Sequence, residues 1–147
     1  MKPSFRIAAS LACGLLAAAS LGWNILHSDP AALQANWGFS LPAGAHCALV
    51  YEQDEGASFH GDGLRYHVFA CQTVDPIDGL FPWAEADPEQ TAQAGRWLDV
   101  LEVPQAQRPI AGQCLTWEIR QNDDPRDTLL AFWDREAGRL FILESFL

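Results

Sequence analysis

The stretch Ser58-Phe59-His60-Gly61-Asp62-Gly63 sets an imidazole and a carboxylate two residues apart between glycines. Glu52, Asp54 and Glu55 precede it, and His46 and His67 flank it on either side. Neutral imidazoles and carboxylates that converge can hold a divalent metal, and such a site can activate water for hydrolysis. A simpler account is a tight turn, with glycines relaxing the backbone and Asp62 hydrogen-bonding to it. Neither the EF-hand spacing nor H-E-x-x-H is present. His60, Asp62, Asp54 and Glu52 are therefore the candidate binding residues, with the identity of any metal open. A metal-dependent hydrolase using the His60/Asp62 loop is the alternative to a binding role.

Other chemistries lack their residues. Ser28, Ser40, Ser58 and Ser145 all lie outside a G-x-S-x-G setting. Lys2 is the only lysine, so neither a Schiff base nor a P-loop is available in the body of the chain. No catalytic residue is assigned and no cofactor is implied.

A strand, an acidic glycine-containing loop, Phe59-His60-Gly61-Asp62-Gly63 and an aromatic strand follow one another over residues 37–71. This order resembles small uncharacterised membrane-anchored or exported bacterial proteins. That group has no assigned activity, so the resemblance implies location and architecture and carries over no functional residue.

The elements that must position these groups are legible from their patterns. Residues 45–52 and 64–71 read as the two strands of a hairpin. Antiparallel pairing about a loop centred near Phe59 puts Cys47 opposite Cys71, within reach of a disulfide. It also puts Cys47, Leu49 and Tyr51 on one face with His67, Phe69 and Cys71. The alternatives are three reduced, buried thiols or a Cys71–Cys114 connection. Asp29-Pro30 predicts a short helix over 30–37 with Leu33 and Trp37 on one side, ended by Gly38. Residues 72–84 read as a turn-rich loop that lays Ile77, Leu80, Phe81 and Trp83 on the body. Asp87 caps a second helix, whose Ala94, Trp97, Leu98 and Leu101 form one apolar face. Three strands follow over 114–121, 128–134 and 139–146. In the first, Leu115, Trp117 and Ile119 point inward and Thr116, Glu118 and Arg120 outward. The turn 122–127 joins the first two, and Gly138 turns the last hairpin. The expected class is α+β, in the order αββαβββ: antiparallel hairpins packed on one main helix, in two layers.

The chain has 147 residues and a net charge of −10. Residues 28–147 hold 7 Arg and 19 acids, a net charge of −12. Such a body offers nothing to a phosphate backbone, so nucleic acid is excluded as a partner class. Residues 7–26 carry no charge and follow Lys2 and Arg6. A helix of that length spans about 30 Å, enough for a bilayer core. Residues 1–27 therefore read as a signal peptide or membrane anchor, and 28–147 as an extracytoplasmic domain. Ala17-Ala18-Ala19 offers a cleavage site and Cys13 a weak lipidation site. The expectation is a single-pass protein of the cell membrane with its C-terminal domain outside, or a secreted one. Its expected role is non-enzymatic binding of a protein or envelope ligand. In one version, an acidic face covers a basic cleft on a partner.

Overall fold

The computed structural model describes residues 30–55, 62–121, 124 and 126–147. The leader with its Asp29 cap, the His60 loop over 56–61, and residues 122, 123 and 125 of the later turn lie outside the described residues. Helix α1 spans Pro30–Trp37 and is followed by strands β1 (Cys47–Asp54) and β2 (Gly63–Cys71). A single helical turn, α2 (Asp75–Asp78), precedes the two-residue strand β3 (Ala84–Glu85) and helix α3 (Pro88–Val100). Strands β4 (Leu115–Arg120), β5 (Thr128–Asp134) and β6 (Arg139–Phe146) close the chain. The strands form one antiparallel sheet in the order β1-β2-β6-β5-β4-β3. The fold is a single α+β domain, as its pattern indicates. No helix among the described residues is long and apolar enough to cross a membrane.

The sheet is covered on both faces, which corrects the two-layer expectation. On one face, Leu64, Tyr66 and Val68 of β2, Leu130 and Phe132 of β5, and Phe141 and Leu143 of β6 meet Ala94 and Leu98 of α3 and Leu101 at its C-cap. On the other, Phe69, Leu129, Ala131, Trp133, Leu140 and Ile142 meet Leu33 and Trp37 of α1 and Ile77 of α2. Each large apolar side chain so buried contributes about 1.5–3 kcal/mol. The second cover also explains β4. Trp117 and Ile119 pack inward as expected, but Leu115 is exposed and Thr116 is buried under α3, donating to Gln90 Oε1 at 3.2 Å. The supposed outer side of β4 is thus an inner side of a second interface.

The helices end for local reasons. Asp87 Oδ1 accepts from the Glu89 amide at 2.6 Å and Pro88 follows it, so α3 starts where the sequence places it. Arg108 seals the other end, donating to Val103 O at 2.8 Å and Leu98 O at 3.1 Å while pairing with Asp99. The 72–84 connection does lay its apolar side chains on the body, but as α2 and β3 rather than as a loop. Asp78 of α2 accepts from Trp133 Nε1 and from Arg135 Nε, each at 2.8 Å. Trp83 Nε1 donates back to Ile77 O at 2.8 Å.

The β5–β6 turn is fastened to the start of the sheet. Gly138 has φ +62 and its carbonyl accepts from the Cys71 amide at 2.8 Å. A Cβ at Gly138 would lie 2.7 Å from the Cys71 carbonyl oxygen. Gly138→Ala is therefore expected to lower unfolding free energy by about 2 kcal/mol or more in denaturant titration. Gly112→Ala, at φ +84 with open space around its Cβ, should cost only the left-handed backbone penalty of about 1 kcal/mol.

Arg135, and then the Trp133 indole, hold the Asp78 carboxyl below its ordinary 3.8. A depressed folded value stabilises the fold above the unfolded value and is lost as pH falls through the folded one. Asp78→Asn is thus expected to melt below the parent at pH 7. The gap should close as the pH is taken below 3.8.

Candidate functional site

The β1/β2 hairpin carries the groups that the sequence singles out. Cys47 and Cys71 are joined by a disulfide, in the register that opposes them. That register runs through Leu49↔Phe69 and then shifts at Val50, so that Tyr51 opposes Val68 and Glu52 opposes His67. The bulge separates Leu49 from Tyr51. Leu49 packs on the α1 face, whereas Tyr51 stacks edge-on against Tyr66 on the α3 face, with ring centres 6.1 Å apart. The expected shared face of Cys47, Leu49 and Tyr51 is corrected accordingly.

Beyond the bulge, β1 is polar. Glu52, Asp54 and Glu55 are exposed, and so is Asp62 at the far arm. Glu55 Oε2 accepts from the Leu64 amide at 2.8 Å, and the two backbones also pair. His60 lies outside the described residues. Among the described residues, no three His, Cys, Asp or Glu side chains gather as a metal-binding set. Glu52 and His67 are brought together, whereas Asp62 joins no such group.

The polar cluster that sequence reasoning missed lies beneath this edge. Glu144 of β6 is 2% exposed, within an otherwise apolar strand. It accepts from Trp37 Nε1 at 2.6 Å and lies 3.0 Å from His67 Nε2. One hydrogen bond thus joins the His67 ring to the buried Glu144 carboxyl. Nδ1 faces Glu52 Oε1 at 3.6 Å, too far for a hydrogen bond. The ring also stacks on Phe69, with centres 6.3 Å apart. The chain Trp37–Glu144–His67–Glu52 ties α1, β6, β2 and β1 together, and its members point at one another. The signal for it was a glutamate in Leu140-Phe141-Ile142-Leu143-Glu144, where a carboxylate needs donors.

His67 and the hairpin cysteines form no pair. His67 is engaged with Glu144 and Cys47 is bridged to Cys71. Cys114 is free and buried on the α3 face, and no Cys71–Cys114 bond forms. Burial first, and the Asp134 carboxylate second, push its thiol up to about 11.

Two concave surfaces border these elements. A cleft of about 370 Å3 lies at the start of β1, between Leu41-Pro42-Ala43 and Cys47, Leu49 and Phe69. A deeper cavity of about 180 Å3 lies between α3 and residues 109–115. No protein-family model, curated protein or solved structure matches this chain.

Trp37→Phe and Glu144→Gln should be non-additive by about 1 kcal/mol or more in a double-mutant cycle, because the indole donates to a buried carboxyl oxygen. Alkylation of Cys114 at pH 8 is expected to be roughly a hundredfold slower in the native protein than after unfolding, given a thiol that ionises well above its unfolded value.

Proposed function

We propose that this is a non-enzymatic domain held at, or released from, the outer side of a cell membrane, and that it binds a basic segment of a protein partner along β1. The observation that carries this reading is the arrangement along one edge strand. An apolar cleft opens at Cys47–Leu49, and Glu52, Asp54 and Glu55 follow within one strand length. A partner segment with an apolar side chain followed by Lys or Arg meets both features. The bulge and the carboxylates oppose pairing of β1 with a second copy of itself, so side chains rather than open-ended strand addition select the partner.

Location is supported by the uncharged run 7–26 behind Lys2 and Arg6, and by the Cys47–Cys71 bond, which persists in oxidising compartments. Full-length protein is expected in the salt-washed membrane fraction, with Cys47 and Cys71 unreactive to maleimide until reduced. Recovery from the cytosol with both thiols free would overturn the placement.

Binding is tested with a synthetic peptide of alternating Val and Lys, followed by fluorescence anisotropy. The peptide should outbind its Val–Glu counterpart and weaken with added salt. Ala48→Arg combined with Gln53→Arg, both at exposed positions, should weaken it roughly tenfold, about 1.4 kcal/mol. Equal binding of the two peptides, or indifference to the double substitution, would reject the β1 surface.

A further inference from the structure

We propose that the groove between α3 and residues 109–115 binds a small organic cation, a ring-sized apolar group carrying an ammonium head. The site is separate from β1 and is independent of the reading above. Its deep part has a volume of about 180 Å3 and is walled by Ala94, Gly95, Leu98, Ile110, Cys114 and Phe132. A dry cavity of about 150 Å3 with such walls accepts a benzene-sized molecule. Its Cys114 wall is un-ionised, because burial pushes that thiol up to about 11.

Gly95 indicates that the space is kept open. It sits in the middle of a 13-residue helix, where glycine costs about 1 kcal/mol relative to alanine. No backbone requirement explains it, since its φ is not in the left-handed region, and a Cβ there would meet nothing within 4 Å. Any larger residue would stand in the groove. Ile110, at the rim, is 57% exposed, an apolar side chain facing water beside an apolar hollow.

The charge of the head group follows from the two ends. The deep end meets Arg108, whose Nε, Nη1 and Nη2 each already donate once, to Val103 O, Asp99 Oδ1 and Leu98 O, and whose charge is paired with Asp99. The outer end widens into a mouth of about 740 Å3 bordered by Glu85, Thr91, Gln113 and Leu115. Thr91 and Cys114 line both parts, so the two adjoin. Glu85 has no ion pair or side-chain hydrogen bond with any described residue, and it sits in a body of net charge −12. A cation at the mouth with its ring inside satisfies both ends, whereas an anion meets Glu85.

The test uses three probes of one shape: 2-phenylethylammonium, 2-phenylethanol and 3-phenylpropanoate. Each is titrated into the full-length protein while the methyl resonances of Leu98 and Ile110 are followed by NMR. The ammonium is expected to bind with a Kd near 1 mM or below, at least tenfold tighter than the carboxylate, with the alcohol between. Glu85→Gln should bring ammonium and alcohol together. Gly95→Leu should abolish binding, and Gly95→Ala should weaken it, while both melt at or above the parent temperature. If Gly95→Leu fails to fold, the Gly95→Ala and Glu85→Gln arms decide. Absence of shifts with all three probes at about 10 mM, a preference for the carboxylate, or unchanged binding in Gly95→Ala and Glu85→Gln overturns the proposal.

Discussion

The constraint on which the rest of the structure depends is the β5–β6 hairpin. Every residue of β5, and all but the ends of β6, is buried. An antiparallel pair that is apolar on both sides cannot leave either side to water, whereas most antiparallel sheets do. Two separate covers must therefore be assembled. Helix α3 is long enough for one. No second helix of that length exists among the described residues, so the other is pieced together from α1, the 39–49 segment and α2. This is why the chain between its regular elements is short of free loop and rich in Phe39, Phe81 and Trp83, which stack edge-on in sequence.

A wall of that kind makes any polar group in it expensive, and Glu144 is the case in point. Its position on β6 is fixed by register, opposite Arg65 of β2 and Leu129 of β5. The donors must then come to it. The Trp37 indole and the His67 ring do so from opposite directions, and docking of α1 becomes conditional on that carboxylate. Among the described residues, no buried side-chain polar atom is left without a partner. His67 bonds through Nε2 to Glu144 and turns Nδ1 toward Glu52.

The legible features were those set by local rules. The α3 cap at Asp87, its Ala94/Leu98/Leu101 face and the helix stop at Gly38 rest on neighbouring residues alone. The Cys47–Cys71 pairing was legible because two thiols mark a register. What failed was non-local. The Val50 bulge has no sequence marker, and it moved Tyr51 to the other face. Thr116 was assigned to solvent because a polar residue in an alternating strand usually faces water, and nothing near it in sequence announces α3 above it. A clue to the second cover did exist: Leu129-Leu130-Ala131-Phe132-Trp133 does not alternate at all. The partners of Glu144 lie 77 and 107 positions away, beyond the reach of any spacing rule.

Charge gives the last step. Arg108, Arg120, Arg126 and Arg135 are each matched to a nearby carboxylate, and Arg65 lies over the Phe146 ring. These pairs are mostly exposed, and each contributes little to stability. Their larger effect is to offset four of the arginine charges locally. The surface keeps a net excess of acids, and along β1 Glu52, Asp54 and Glu55 lie within one strand length of the Cys47–Leu49 cleft. A field of one sign steers opposite charge toward it and holds like copies apart. The same excess that deters self-association along an open sheet edge thus also sets the sign of the field around that edge.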